Sequence, residues 1–222
     1  MDHERVIGEE FDVVFVFADL SGYTALTEAH GNVHAAHVVS RYVELAESVL
    51  TGGARLFERV GDEVVIVAPD ARAAIRTAVG LRDAIAREPL FPMVRAGMHA
   101  GAVVEHAGRY VGAALNLASR VAGQAIPGQI LCTERVVRLA GDVPGIAYKD
   151  LGNIRLKNVR HPVSLFEVVA TATDAAATIV DPVCRMQIVP GAAVAEATIG
   201  GRRYLFCSIE CRDVFLADAE TL

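Results

Sequence analysis

With 222 residues, 53% of them hydrophobic, the chain can bury the core of one medium domain and carry a small appendage. A formal net charge of −6 leaves no basic stripe for nucleic acid, and no apolar run reaches the ~18 residues of a membrane span. The opening MDHERVIGEEF has no apolar segment of a secretory signal, so the expectation is a cytoplasmic protein with no membrane and no nucleic-acid partner.

FDVVFVFADL (11–20) reads as a buried strand ending in an acid, and SGYT leads into helical spacing through TALTEAHGNVHAAHVVSRYVELAESVL. Gly31 breaks that helix into two pieces. ARLFERV and EVVIVA flank Gly61-Asp62, the pattern of a β-hairpin with a two-residue turn. Asp70 is placed to cap the helix that follows it. PMVRAGMHAGAVVEH predicts a strand bent or broken at Gly101, VGAALNLASRVAGQ an Ala-rich helix, and GQILCTE a short strand holding a buried Cys132. Two late strands flank the basic turn KNVRH. Without the regular βαβ repeat of a doubly wound sheet, this order predicts an α+β sandwich, with helices on one side of a mainly antiparallel sheet. TATDAAAT loses both periodicity and large apolar residues, as a linker does. The expected organisation is a domain over 1–170, a linker over 171–178 and a small domain over 179–222.

Asp19 closes a buried strand and Asp62 tips a hairpin, which suits a hard cation held by two carboxylates and phosphate oxygens. A divalent cation would also reconcile an acidic protein with an anionic ligand. Backbone N–H groups after Asp19 open a helix and can hold phosphate. Taken singly, each aspartate is better explained as a cap or a turn residue.

The ordered set FADLSGYTALTE, ERVGDEVVIVA, RAGMHAGAVVE, GRYVGAALNLASR and LGNIRLKNVRHPVSLFEV resembles the class III nucleotidyl cyclase catalytic domain, over about residues 10–170. The resemblance implies a ferredoxin-like sandwich that converts ATP or GTP to a 3′,5′-cyclic nucleotide and pyrophosphate. It places Asp19, Leu20 and Asp62 at two Mg²⁺ or Mn²⁺ ions per active site. Ser21, Gly22, Tyr23 and Thr24 fall on its phosphate-cradling link, Asn116 on its ribose-orienting asparagine, Arg120 on its transition-state arginine and Lys157 on its triphosphate lysine. Asn158 stands where the family more often has glycine, and asparagine tolerates the same left-handed turn. The family's site is shared across a dimer, which implies a homodimer with Asp19 and Asp62 from one copy facing Glu58, Arg109, Asn116, Arg120 and Lys157 of the other.

Glu58 and Arg109 fall on the two positions that select the purine. Adenylyl cyclases usually have Lys and Asp there; Glu is the guanylyl choice at the first, and Arg is typical of neither. A Glu accepting from guanine N1–H and N2–H₂ and an Arg donating to O6 would be complementary, whereas adenine N1 would meet Glu58 acceptor to acceptor. The competing reading pairs Glu58 with Arg109 and leaves base choice loose.

Four cysteines without an export signal do not imply a disulfide framework, and three of them, Cys184, Cys207 and Cys211, follow residue 180. DPVC-x-M and Y-x-FCS-x-x-C resemble the YHS family of small metal-associated modules, with Arg185 where glycine is common and Leu205 where histidine is common. The thiols form a set for Zn²⁺ or another thiophilic metal with the fourth ligand unidentified, or else three reduced thiols of a mini-domain. His30, His34 and His37 recur at helical spacing and are read as the solvated side of a helix. Two rival readings remain: a nucleotide-binding regulator without turnover, and a metal-binding protein acting through the C-terminal module.

Overall fold

The computed structural model describes residues 9–171, 179–189 and 191–219. Its contacts form two compact units. One is built from Met1–Asp19, Leu50–Val79 and Arg95–Thr171, the other from Leu20–Val49, Gly80–Val94 and Ala172–Leu222. Residues 172–178 of the expected linker lie outside the described residues. Among the described residues no helix is long and apolar enough to cross a membrane.

The first unit is organised by an eight-stranded sheet in the order β2-β3-β1-β4-β6-β8-β7, with β5 paired to β4. The strands are β1 (Glu10–Leu20), β2 (Arg55–Val60), β3 (Glu63–Ala68), β4 (Val94–His106), β5 (Arg109–Val111), β6 (Ile130–Thr133), β7 (Ile146–Ile154) and β8 (Val163–Ala170). β1 is central and buried from Val13 to Ala18, which explains its unbroken Val/Phe run. β4 pairs parallel with β6, and the crossover between them carries β5 and helix α3 (Ala113–Ala122). The hairpin forms as expected, with β2 antiparallel to β3 across Gly61-Asp62 and Gly61 at φ 61°.

α3 lies against β4 because two positions of that strand lack a side chain. A Cβ on Gly97 would stand 2.0 Å from the backbone nitrogen of Ala122, and one on Gly101 would stand 2.8 Å from Ala114 Cβ. The strand does not stop at Gly101; it runs on to His106. Close helix packing, rather than a strand break, is what the glycine serves. Phe15, Phe17, Val65, Val67 and Tyr110 meet Ala114, Ala118 and Ala122 in this core.

Helix α4 (Glu134–Ala140) follows β6 directly and is an element the sequence expectations did not include. Thr133 stands at its N-cap position, yet its hydroxyl lies 2.8 Å from His99 Nδ1 instead of capping the helix. Burial, then the charge of Arg135, holds His99 down at about 4 against an ordinary 6.5. The folded chain therefore binds this proton less readily than the unfolded chain. Its contribution to stability is complete above pH ~6.5 and is lost as pH falls toward ~4, at most on the order of 3 kcal/mol. Chemical denaturation of His99→Gln should show a flatter stability profile across that window than the parent. An unchanged slope would remove this assignment.

The second unit contains helix α1 (Tyr23–Ser48), interrupted by non-helical φ/ψ at Gly31 as the sequence indicates. The C-terminal part adds strands β9 (Ile179–Val180) and β10 (Gln187–Ile188), hairpin β11 (Ala195–Ile199) and β12 (Arg202–Phe206), and helix α5 (Ile209–Ala219). It joins the segment before β4 through Gln187 N–H donating to Phe91 O at 2.9 Å and a bridge between Pro92 and Met186. Helix α2 (Ala71–Ile85) is capped as expected, with Asp70 Oδ1 accepting from Ala73 N–H at 2.9 Å.

Candidate active site

β1 and β3 bring the acids together, because Asp19 is the cross-strand partner of Glu63 and Asp62 occupies the turn just before it. Burial, then the neighbouring charge of Asp19, pushes Asp62 up to about 6, and the same two causes raise Glu63. Carboxylates crowded in this way favour a bound cation over mutual repulsion. The all-oxygen donor set fits a hard divalent ion such as Mg²⁺ or Mn²⁺. Glu63, the first residue of β3, is also part of this acidic group.

Arg95 at the start of β4 is the counter-charge that the sequence reading missed. Its Nε and Nη2 both donate to Asp19 Oδ2, at 2.9 and 2.6 Å. No sequence pattern marks it, since it is one cation in a strand, and only the β1–β4 neighbourhood gives it a partner.

After Asp19 the chain turns through the expected link. Leu20 is buried, Ser21 N–H donates to Met93 O at 2.8 Å, and the Ser21 hydroxyl is buried with no hydrogen-bond partner among the described residues. Gly22 takes the left-handed conformation (φ 81°, ψ 21°) at the N-cap of α1, so Tyr23 and Thr24 begin the helix. Their N–H groups belong to the first turn, which has no intrahelical acceptor for them. Ser21 spends its own N–H on Met93 and so does not add to that set. Gly22 is also where Arg185 packs: a Cβ there would stand 2.4 Å from Arg185 Cγ. Arg185 itself adopts φ 64°, the region in which glycine is at ease, at the position where the YHS pattern commonly has glycine.

Asn116 and Arg120 lie one turn apart on α3, and both are exposed. With Lys157, Asn158 and Arg160 they line a cavity of about 500 Å³. Lys157 reaches it from the turn between β7 and β8, where Asn158 adopts the expected left-handed conformation at φ 64°. The lining of this cavity includes none of Asp19, Asp62, Glu58 and Arg109. Glu58 and Arg109 are both exposed, and each follows or precedes a packed aromatic, since Phe57 and Tyr110 meet with ring centroids 4.9 Å apart. Glu58 and Arg109 thus sit on neighbouring pieces of chain.

The C-terminal thiols converge. Cys184 Sγ lies 3.3 Å from Cys207 Sγ, which lies 3.7 Å from Cys211 Sγ. His30 Nε2 lies 3.5 Å from both Cys207 and Cys211. This corrects the reading of the histidine face. His34 and His37 are exposed, but His30 turns inward to the sulfurs because they stand beside its turn of α1. The hydrogen bond between the Cys207 thiol and the Cys184 sulfur holds Cys184 down and pushes Cys207 up. Asp181, fully buried, organises the loop: Oδ1 accepts from Val183 and Cys184 N–H, and Oδ2 accepts from Cys207 N–H at 2.7 Å. It was invisible in sequence beyond its place in DPVC. Cys132 is buried in β6, apart from this group, as expected of a small strand residue.

Known proteins resemble both parts of the chain. Residues 179–221 match the YHS domain. A pH-sensitive adenylate cyclase of Mycobacterium tuberculosis is 34% identical over 177 residues, covering 77% of this chain and 45% of that protein. The chain therefore spans about half the length of this relative. The crystal structure of the adenylyl cyclase CyaB from P. aeruginosa superposes with a TM-score of 0.64 at 22% identity, covering 76% of this chain and 98% of that one. The guanylate cyclase domain of RhGC from Catenaria anguillulae, solved in complex with GTP, gives 0.65 at 17% identity, covering 73% and 99%. Sequence motifs, sheet order and these likenesses agree: the chain joins a class III nucleotidyl cyclase catalytic-domain fold to a C-terminal YHS domain.

Proposed function

We propose that the protein is a class III nucleotidyl cyclase, forming a 3′,5′-cyclic nucleotide and pyrophosphate from a purine nucleoside triphosphate at sites shared by two copies of the chain. The observation that carries this reading is the division of the candidate residues. Asn116, Arg120 and Lys157 line one cavity, while the carboxylates of Asp19 and Asp62 gather with Glu63 at the β1–β3 end without entering its lining. Each group is half of what the reaction needs, and a second copy supplies the other half.

Asp19 and Asp62 would hold the divalent cations, whose chemistry when bound is to lower the pKa of the attacking hydroxyl and neutralise the leaving group. The chain's own groups do the rest. Asn116 orients the ribose so that its 3′-oxygen faces the α-phosphorus. Arg120 lies on the same helix face and donates to the α-phosphate oxygens as charge builds there. Lys157 and the first-turn N–H groups of α1 hold the polyphosphate. Arg95, donating twice to Asp19 Oδ2, holds that carboxylate in place until a cation takes over as its partner.

Base choice rests on Glu58 and Arg109. The relatives whose names state an activity, such as those of Mycobacterium tuberculosis and Glutamicibacter nicotianae, are adenylate cyclases. The hydrogen-bonding argument at Glu58 nevertheless favours guanine, whose N1–H and N2–H₂ match a carboxylate. The purified full chain with Mn²⁺ and either ATP or GTP should yield a cyclic product, with cGMP exceeding cAMP. No cyclic product from either nucleotide would end the cyclase reading, and cAMP in excess would end only the purine assignment.

A further inference from the structure

The side chains around His30 bring four metal-competent donor atoms together, and the YHS match accounts for only three of them. The match begins at residue 179, so it supplies the three cysteines and leaves His30 outside. In a tetrahedral site with Zn–S near 2.3 Å and Zn–N near 2.0–2.1 Å, two sulfurs stand ~3.8 Å apart and a sulfur and a nitrogen ~3.5 Å apart. The structure has Cys207 and Cys211 at 3.7 Å and His30 Nε2 at 3.5 Å from each of them. Cys184 and Cys207 are somewhat closer, at 3.3 Å. All four donor atoms lie within 4.8 Å of one another.

The surroundings are those of a held site. The three cysteines are at most 6% exposed, and each is fixed through its backbone. Asp181 accepts from the N–H of Cys184 and of Cys207, and Ser208 Oγ accepts from Cys211 N–H at 3.1 Å at the start of α5. Hydrogen bonds that orient ligand-bearing residues are what a metal site needs around its donors. Three sulfurs and an imidazole select a soft or borderline ion and reject Mg²⁺. The oxygen ligands of Asp19 and Asp62 have the opposite preference.

We infer that His30 completes a tetrahedral Cys₃His site with Cys184, Cys207 and Cys211 for Zn²⁺ or a chemically similar thiophilic cation. The fourth ligand comes from α1, far from the cysteines in sequence, so the bound ion ties that helix to the C-terminal module. The same loop that carries Cys184 seats Arg185 against Gly22, and the tie therefore reaches the first turn of α1.

Co²⁺ titration of the reduced full chain tests this directly, because its absorption reports both geometry and sulfur ligation. The wild type should take up one tightly bound Co²⁺ with intense tetrahedral d–d bands and S→Co²⁺ charge transfer, and Zn²⁺ should displace it. Loss of a second-shell partner costs 10–100-fold in affinity, so His30→Ala, which removes a ligand, should cost at least ~100-fold. His30→Cys should keep a tetrahedral spectrum with added charge-transfer intensity, and it covers the case in which His30→Ala folds poorly. His34→Ala, altered at an exposed neighbour, should bind like the parent. A His30→Ala protein with unchanged affinity and spectrum would overturn the assignment. So would a wild type that takes up no Co²⁺, or one isolated with a Cys184–Cys207 disulfide that forms in preference to metal binding.

Discussion

Asp62→Ala is expected to reduce cyclic-nucleotide formation by on the order of 10³-fold while leaving the fold intact. The carboxyl sits in a turn, half-buried, and its removal relieves like-charge crowding with Asp19 and Glu63. Thermal stability without added metal should therefore hold or rise slightly. The stabilisation that Mn²⁺ gives the parent should shrink, since ligand-linked stability requires the ligand's site. Activity measured against Mn²⁺ concentration and melting with and without Mn²⁺ are the two readouts. Loss of activity together with loss of folding would make Asp62 a structural residue instead.

The second large effect concerns the base. The double change Glu58→Lys with Arg109→Asp replaces an acceptor–donor arrangement suited to guanine with one suited to adenine. Each charge-assisted hydrogen bond is worth ~1.5–3 kcal/mol, so the ratio of kcat/KM values for GTP and ATP should shift toward ATP by on the order of 10²-fold. Both residues are exposed, and neither belongs to the core formed by Phe57 and Tyr110 beside them. Folding should not suffer. An unchanged ratio would mean that the base is read elsewhere.

The sequence was most informative where one residue type answers one local demand. The Val/Phe run of β1, the Gly61-Asp62 turn, the Asp70 cap and the left-handed Asn158 are all set by local backbone or burial preferences, and each was legible. Asn116, Arg120 and Lys157 came from motif order, and the structure gathers them at one cavity. What stayed hidden depends on elements meeting in space. Arg95 looked like any strand cation until β4 was laid beside β1. His30 shared its spacing with His34 and His37, and helical periodicity alone cannot say which of three histidines meets a partner more than 150 residues away. Asp181 read as one letter of DPVC, yet its carboxylate holds backbone N–H groups on both sides of the thiol cluster. Gly101 misled in the other direction: a glycine in a strand suggested a break, and the cause was α3 pressed against it.

The central claim, a cyclase site assembled from two copies of this chain, is tested most directly by subunit complementation. Asp19→Ala and Arg120→Ala each damage a different half, and each protein alone should be close to background, the arginine change costing ~10³-fold or more. When they are mixed and allowed to exchange, half of the dimers are mixed and each carries one intact site. Activity should therefore return to roughly a quarter of the wild-type value, as a symmetric two-site dimer requires. A mixture that exchanges subunits, shown by differently tagged copies, and yet remains at background would contradict the account.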